Sequence, residues 1–314
     1  LIVRLSALVL FSTMGCTGEE SGTTVTEDRI SVVGGQPFES LFTIVDTLTL
    51  EEPPGIVTVL PRVTVDRDGG FLLADEQEHQ VRIYSPEGRL RQTYGAGTPR
   101  PDSIRLPQRA IRLPNEHLLI VNIVGPVTII PTDSALPSRF LPLSLRTARN
   151  AVTINDRTVI LAGSDSNPVS ATLFRLDLEA GRVGDHFFPP PEHLDRWVTT
   201  TFSSVLVAGR GSRVAAVHML SDTLMIVDES GRTTARIPIP IDPFRVPGGP
   251  LPNLESSAAQ HAWITRFTMI TDLFWVADDQ FVVQWVKPVG TGLASDWGVL
   301  QMNTTGALVW AMAP

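Results

Sequence analysis

The sequence predicts an all-β protein made of repeated four-stranded antiparallel units. Short apolar runs alternate with Gly, Pro, Asn and Asp along most of the chain, and few segments have a helical pattern of apolar residues. One strand–turn–strand form recurs five times, and a looser hairpin form precedes each copy. Four strands in every 40 to 50 residues, roughly, indicate a β-propeller, because one such unit cannot bury both its faces without neighbours.

The recurring hairpin has its turn at a nearly constant spacing. The turn positions are Gly88, Ser134, Gly181, Gly231 and Gly306. The first three intervals are 46, 47 and 50 residues, whereas the last is 75 residues. The long interval contains a Pro- and Gly-rich insertion that starts at Pro240 and includes one helix-capable stretch, LESSAAQHAW. Long loops of this kind are often functional, and we expect this one to overlie an end of the propeller.

The hairpin form that precedes each copy completes the unit. The segments that start at Pro61 and Pro107 lie 46 residues apart, and looser copies occupy residues 149–163, 203–218 and 264–286. A β-sandwich is the alternative architecture, but it does not require one hairpin form to recur in phase. Strand-like segments around residues 42–50 predict a sixth blade, completed by C-terminal strands so that the ring has no open edge, with five blades as the alternative.

The N-terminal segment has the layout of a bacterial secretory signal. Arg4 precedes an apolar run, Leu5–Phe11, that is too short to span a bilayer. The segment resembles a lipoprotein signal that ends before Cys16, the only cysteine, and the alternative is an incidental or buried cysteine. The prediction is a signal peptide over residues 1–15, a lipidated Cys16 with a flexible tether over residues 16–28, and a propeller over residues 29–314.

The charge pattern excludes one class of partner. The net charge is −8, Lys287 is the only lysine, and the arginines are scattered along the chain. A surface that binds phosphate backbones needs a clustered basic face, so we expect no nucleic-acid partner. The predicted lipid anchor is the only expected contact with a membrane. Thr17 stands where inner-membrane lipoproteins commonly have Asp, so the resemblance implies the outer membrane, facing the periplasm or the exterior.

The first repeat also resembles a known family. Residues 66–107 are similar to the repeat of NHL-type propellers, specifically the bacterial six-bladed β-propeller lipoproteins. The positions that fit the repeat are Asp68, Gly69, Ala74, Asp75, Ile83, Tyr84, Gly88, Gly95, Gly97 and Pro107. The resemblance extends over residues 40–313 as architecture. It implies an envelope protein with a rigid disc of blades and variable loops.

No residue pattern in the sequence predicts catalysis or a cofactor. The six histidines are His79, His117, His186, His193, His218 and His261, and none forms an HExxH or HxH pattern. Some propeller enzymes hold zinc with histidines from different blades, or calcium at the axis, so separation in sequence leaves a metal site open. Asp66 and Asp68 resemble the start of a calcium loop, but a β-turn explains them without a ligand, and the same holds for Asp165 and Asn167. We therefore expect no catalytic, cofactor or metal residues.

The tryptophans supply one candidate contact. Five of the six lie at or after Trp263. Trp275 and Trp285 are within strand patterns and are expected in the core, whereas Trp263 beside the insertion is the candidate for an exposed ring that meets a partner. The preferred function is a monomeric, non-catalytic binding or assembly scaffold for protein, peptide or glycan at the cell envelope. The alternative is a metal-dependent propeller enzyme of lyase or lactonase type with its site at the axial mouth.

Overall fold

Five sheets account for the strands of this protein that the structure describes. The computed structural model describes residues 47–53, 58, 61–96, 104–123, 125–133, 135–143, 145, 147–165, 171–202, 204–248, 252–253, 256–288 and 295–312. The chain there forms five antiparallel sheets of four strands, and each sheet is built from strands consecutive in sequence. The predicted β-propeller with four-stranded antiparallel blades is therefore confirmed.

The strand boundaries follow the two predicted hairpin forms. Sheet 1 contains β1 (Arg62–Val65), β2 (Phe71–Asp75), β3 (Gln80–Tyr84) and β4 (Leu90–Gly95). Sheet 2 contains β5 (Pro107–Arg112), β6 (Leu118–Asn122), β7 (Val127–Ile130) and β8 (Arg139–Leu141). Sheet 3 contains β9 (Thr147–Thr153), β10 (Thr158–Ser164), β11 (Leu173–Asp177) and β12 (Arg182–Phe187). Sheet 4 contains β13 (Val205–Arg210), β14 (Arg213–His218), β15 (Thr223–Val227) and β16 (Thr233–Pro238). Sheet 5 contains β17 (Met269–Ala277), β18 (Gln280–Pro288), β19 (Ser295–Asn303) and β20 (Leu308–Met312).

The described residues form five blades rather than the predicted six. In that part of the chain the C-terminal strands β19 and β20 pair with β17 and β18 in one sheet and not with N-terminal strands. Most of the N-terminal segment on which the sixth blade was predicted lies outside the described residues. Its described end packs Leu48 and Leu50 against Phe71, Leu73 and Tyr84 of sheet 1.

Apolar clusters between neighbouring sheets hold the blades together. Every residue of β2 and β6 is buried, because each central strand is covered on both faces. Leu72 packs with Leu118 and Ile120 between sheets 1 and 2, and Leu161 packs with Ile129 between sheets 2 and 3. Burying one such side chain stabilises the fold by about 1.5–3 kcal/mol. Alternating residues of one strand thus face two different blades.

Two short helices pack together beside sheets 4 and 5. α1 spans Arg196–Thr201, and the side chain of Asp195 caps it by accepting the Trp197 N–H. α2 spans Ser257–Ile264 within the insertion, and Ser256 caps it in the same way. The predicted helix in the insertion is confirmed, whereas α1 was not predicted. Neither helix, nor any other in the described part of the chain, has the length and apolar character that a bilayer crossing needs.

Candidate functional site

The first strand of each sheet lines a common cavity near the centre of the ring. This axial cavity has a volume of about 330 Å³. Its wall takes residues from all five sheets, represented by Thr64, Arg109, Ala151, Val207 and Trp275. These residues lie on β1, β5, β9, β13 and β17. Because no single blade encloses the cavity, it exists only in the assembled ring, which is where propellers present binding sites.

Several polar atoms in the cavity wall have no hydrogen-bond partner. Thr64 Oγ1, Arg109 Nε and Trp275 Nε1 are all buried and unpaired. The Trp275 ring is fixed by packing. Its centroid lies 4.6 Å from the centroid of the Phe281 ring and 5.0 Å from the guanidinium carbon of Arg213. Buried polar groups in folded proteins are nearly always paired, so unpaired groups that share one cavity need an explanation.

Charged side chains approach the same axis. Burial lowers the pKa of Arg109, the charge of Asp272 raises it, and the charge of Arg62 lowers it. Burial likewise lowers the pKa of Arg149, with Arg62 acting in the same direction and Glu76 opposing it. Burial raises the pKa of Asp272, although the hydrogen bond from the Leu273 N–H and the charges of Arg109 and Arg62 lower it. Arg62 thus acts on the pKa of both Arg109 and Arg149, and of these three arginines Arg109 alone lines the axial cavity.

One ion pair closes the wall between sheets 1 and 2. Arg112 Nη2 lies 2.7 Å and Arg112 Nε 3.1 Å from Asp66 Oδ2. Burial lowers the pKa of Arg112, but the hydrogen bond and charge of Asp66 outweigh that effect, and the pKa is raised. The two residues are 46 positions apart, which is one repeat. The carboxylate of Asp66 is thus neutralised by its neighbour.

Asp68 has the turn role that the sequence favoured. Asp68 Oδ1 accepts the Gly70 N–H at 2.9 Å, and the Gly69 N–H donates to the Asp66 carbonyl, which closes a turn with Gly69 at φ +81°. Asp165 Oδ1 accepts the Ala171 N–H at 3.3 Å. Asn167, the other predicted turn residue, is outside the described residues.

The histidines do not form a metal-binding cluster in the part of the chain that the structure describes. In the described residues, no group of three or more His, Cys, Asp or Glu side chains is placed to hold a metal ion. His79 Nδ1 accepts the Leu106 N–H, whereas His186, His193 and His261 are exposed. His218 is 1 % exposed. His117 Nδ1 is placed to accept the Thr132 N–H.

His218 is the unusual member of this set. Its Nδ1 accepts the Leu220 N–H at 3.2 Å, and its buried Nε2 has no partner. Burial lowers the pKa of His218 from 6.5 to about 3, and the nearby His193 charge adds to that shift. The imidazole is therefore neutral at physiological pH. His218 is the last residue of β14 in sheet 4, and it is not among the residues that line the axial cavity.

The predicted contact residues have different outcomes. Trp263 is partly buried: it stacks on Phe202 at 5.4 Å and meets Phe267 edge-on at 4.8 Å. Its role in binding a partner stays a prediction. Trp285 is 1 % exposed and Trp275 packs against the same core, as expected. Cys16 is outside the described residues, so its lipidation also stays a prediction.

Sequence reasoning missed Arg109 in the cavity wall and the arginines at related strand positions, Arg62 and Arg149. Arg62 pairs with Ala74, directly before the buried Asp75 that ends β2. Arg109 pairs with Val121, directly before Asn122 that ends β6. Arg149 sits at the bulge where β9 meets the end of β10. An arginine at matching places in three successive repeats was the available signal.

Comparisons with known proteins show likeness in fold and none in sequence family. No protein-family model and no curated protein sequence matches the chain. A protein of unknown function from Bacteroides caccae matches with 12% identity and a TM-score of 0.54, over 88% of each chain. A protein of Bacteroides fragilis that is thought to be exported matches with 12% identity and a TM-score of 0.54, over 85% of this chain and 74% of that one.

A third solved structure is that of an enzyme. Catalytically inactive virginiamycin B lyase from Staphylococcus aureus, solved with quinupristin, matches with 10% identity and a TM-score of 0.52, over 85% of this chain and 75% of that one. Likeness at such identity shows the fold alone. The similarity of the first repeat to NHL-type propellers stays a prediction. What the comparisons and the sheet topology together establish is that the chain is a β-propeller, with five blades in its described residues.

Proposed function

We propose that this protein is a non-catalytic binding propeller at the bacterial cell envelope, and that its ligand sits in the axial cavity. The observation that carries the proposal is a cavity of about 330 Å³ that residues of all five sheets line, with Thr64, Arg109 and Trp275 among the polar side chains of its wall. Concave sites of this kind are where proteins bind small ligands.

The ligand classes are those that fit a cavity of this size and wall. Phe274 and Trp275 present aromatic surface beside the polar atoms, and Phe274 is 50% exposed. Aromatic rings combined with a few polar groups suit a peptide side chain, a glycan unit or a protein loop. We propose a monomer whose partner is a protein, peptide or glycan of the envelope.

The proposed cellular localisation is based on the N-terminal sequence. The signal-like segment before Cys16 supports export and lipid attachment at that cysteine, and the fold likeness to a protein thought to be exported agrees with export. A diacylated and N-acylated cysteine would anchor the protein stably, whereas one acyl chain would not. Mass spectrometry of the mature protein tests this point. An unmodified Cys16 inside the mature chain would refute the lipid anchor.

A blocked cavity mouth tests the binding function. Val65 lines the cavity and is 68% exposed, so Val65→Trp obstructs the mouth without disturbing the core. Val309, 51% exposed on β20 and outside the cavity wall, provides the matched control Val309→Trp. The purified full chain is screened by thermal melting against tripeptides, mono- and disaccharides and small organic anions. We expect at least one compound to raise Tm by about 2 °C or more in the wild type and the control only.

Two results would contradict binding in the axial cavity. If no compound raises Tm in any of the three proteins, or if hits shift Val65→Trp as much as the wild type, the axial cavity is not the binding site. Retained secondary structure in both variants, measured by circular dichroism, shows that the comparison is between folded proteins.

A metal analysis separates the scaffold from the alternative, a metal-dependent lyase or lactonase. The purified full chain is analysed for zinc and calcium and is melted before and after chelation. The scaffold function predicts no stoichiometric metal and an unchanged Tm. A stoichiometric metal whose removal lowers Tm would favour the enzyme, because a ligand that binds only the native state stabilises it.

A further inference from the structure

The five sheets form a series with two ends. Four apolar clusters fill the interfaces between consecutive sheets, that is, between sheets 1 and 2, 2 and 3, 3 and 4, and 4 and 5. The first strands make contact in the same order, β1 with β5, β5 with β9, β9 with β13 and β13 with β17. Sheets 1 and 5 are therefore the ends of the series, and each has one face, called its end face below, that lies outside these four interfaces.

The end face of sheet 1 is covered by the chain that leads into the sheet. Its apolar contacts are those of Leu48 and Leu50 with Phe71, Leu73 and Tyr84. The Glu51 N–H donates to the Gly88 carbonyl, and the Glu51 carboxylate accepts the Leu90 N–H at 3.1 Å. The described end of the N-terminal segment thus lies beside the first residue of β4, on the side of sheet 1 that is turned away from sheet 2.

The end face of sheet 5 carries exposed apolar side chains. Leu300 and Met302 on β19 pack towards sheet 4, so the alternating residues Trp297 and Val299 lie on the end face. Trp297 is 42% exposed, and no described sheet packs on it. Phe274 is at the axial end of the same face and lines the cavity. An apolar face of this kind marks a contact surface.

The sequence before Thr47 has the composition that this face needs. Residues 30–33 and 41–45 are short runs rich in β-branched and aromatic residues, and residues 41–45 contain no charged side chain. In an extended chain Phe42 and Ile44 lie on one side, and Leu41 and Val45 lie on the other, so both sides are apolar. Such a pattern fits a segment that lies between two apolar faces.

The segment is also long enough to reach the end face of sheet 5. Residues 41–46 directly precede the described part that packs on sheet 1. Extended chain advances about 3.3 Å per residue, so these residues reach about 20 Å, whereas packed sheets lie about 10 Å apart. A segment that starts on the end face of sheet 1 can therefore contact both end faces.

We propose that residues 41–45 pack against Trp297 and Val299 on the end face of sheet 5 and close the ring between sheets 5 and 1. The contact continues the one that Leu48 and Leu50 make with sheet 1. It removes apolar surface of both end faces from water, which stabilises the ring. The segment is not a four-stranded blade, since β19 and β20 belong to sheet 5. Phe274 remains in the wall of the axial cavity.

Two tryptophans test the cover directly, because their rings are the same and their exposure is similar. Trp197 on α1 is 51% exposed, compared with 42% for Trp297. Hydroxyl-radical footprinting of the full chain, followed by mass spectrometry, measures the oxidation rate of each ring. Because a docked segment leaves only a minor undocked population, we expect the Trp297 ring to react at least about tenfold more slowly than the Trp197 ring. Equal rates would overturn the proposal.

Charged substitutions in the segment identify the occupant of the face. The double variant Phe42→Asp with Ile44→Asp is expected to bring the oxidation rate of Trp297 up to that of the reference ring, because carboxylates are costly to bury against an apolar face. Thr24→Asp with Thr26→Asp adds the same two charges to the polar tether and is the control, in which Trp297 stays protected. Protection that survives in the Phe42 and Ile44 variant would show that another group covers the face.

Thermal melting separates a contact from general destabilisation. We expect Trp297→Asp to lower Tm by about 4 °C or more, whereas Phe140→Asp, at a side chain that is 44% exposed on β8, lowers it by less than about 2 °C. Adding Phe42→Asp to Trp297→Asp should lower Tm little further, because substitutions at two sides of one contact are not additive. Fully additive losses would contradict a contact between these residues.

A second copy of the chain is the other possible occupant, and concentration distinguishes it. If the protection of Trp297 disappears on dilution and sedimentation velocity shows a dimer, the face belongs to a second copy and the proposal is wrong. The end face of sheet 5 is tested without any ligand of the axial cavity. Failure of this proposal therefore leaves the binding function standing, and failure of the Val65→Trp test leaves the ring closure standing.

Discussion

At the scale of single residues, the ends of the second strands show how the fold handles buried polar groups. A polar side chain ends this strand in four of the sheets, and all four are buried: Asp75, Asn122, Ser164 and His218. Each makes at least one hydrogen bond, for example Asn122 to the Pro126 carbonyl and Ser164 to Thr147. The bonds of Asp75, Asn122 and His218 satisfy backbone groups where the chain turns into the next strand, whereas Ser164 bonds the side chain of Thr147. His218 differs because its buried Nε2 has no hydrogen-bond partner and burial lowers its pKa.

The neutral His218 predicts a loss of stability in acid. Its pKa is about 3 in the folded protein and near 6.5 in the unfolded chain. Below pH 6.5 the unfolded chain therefore binds a proton that the folded protein does not, so stability is present above pH 6.5 and falls progressively as the pH drops towards 3. The slope from this group is at most about 1.4 kcal/mol per pH unit. Urea unfolding between pH 7.5 and 4.5 measures it.

A non-titrating replacement isolates the contribution of His218. In His218→Asn the side-chain oxygen can accept the Leu220 N–H in place of Nδ1, as Asn122 Oδ1 accepts the Arg105 N–H in sheet 2. We expect this variant to lose much of the pH dependence of the unfolding free energy. The same substitution at the exposed His261 is the control. Equal slopes for wild type and His218→Asn would contradict the assignment.

At the scale of elements, the β2–β3 hairpin is held by a buried ion pair. Arg82 Nη2 lies 2.9 Å from Asp75 Oδ2, and both side chains have no exposed area. Arg82 Nη1 also donates to Thr58 Oγ1 at 2.6 Å, and Asp75 Oδ1 accepts the N–H groups of Gln77 and Glu78. The pair thus ties the hairpin to the N-terminal segment. A buried pair is more costly to break than to replace.

Double substitution tests that asymmetry. Arg82→Met alone leaves the Asp75 carboxylate buried and unpaired, so we expect a loss of about 3–5 kcal/mol in the free energy of unfolding. Adding Asp75→Asn removes the charge and keeps the oxygen that accepts the two turn N–H groups, so most of the loss should be recovered. Chemical denaturation measures both. Arg91→Met, at the exposed partner of Asp68, is expected to cost about 0–1 kcal/mol.

A double variant less stable than Arg82→Met would show that the charge of Asp75 is not what destabilises the single variant.

A second element, α1, shows the limit of local patterns. Its RWVTTT sequence is rich in β-branched residues, which favour strands. It is helical because Asp195 caps it and because Val198, with no exposed area, packs against Leu220 and Ile264. Tertiary packing outweighs local propensity there.

At the scale of the whole molecule, the last sheet has two unlike faces. Phe281, Trp285 and Leu300 are buried against sheet 4. On the other face, Phe274, Trp297 and other large apolar side chains are 37–51% exposed: Phe274 50%, Val276 37%, Trp297 42% and Val309 51%. No blade among the described residues packs on this face, so these side chains are exposed.

The two faces of sheet 5 predict different costs for the same substitution. Phe281→Ala opens a cavity between two blades, and we expect it to lower the free energy of unfolding by about 3–5 kcal/mol. Phe274→Ala removes a half-exposed ring and should cost less than about 1 kcal/mol. Urea unfolding of both variants gives the comparison. Equal losses would mean that the Phe274 ring is covered in solution, which is incompatible with the exposure described.

The sequence by itself determined the repeat unit, the hairpins and their turns, because strand alternation and glycines such as Gly95 act over a few residues. At Gly95 the φ angle is +109° and a Cβ would lie 2.2 Å from the His79 carbonyl oxygen, so only glycine fits. The turn role of Asp68 and the core role of Trp285 were predictable for the same local reasons. The tertiary structure alone decided the number of blades in the described residues, the axial cavity and the burial of Arg109 Nε and Arg149 Nε without a hydrogen-bond partner. Those depend on which residues meet across sheets 40 or more positions apart, roughly one repeat, and no local pattern encodes that.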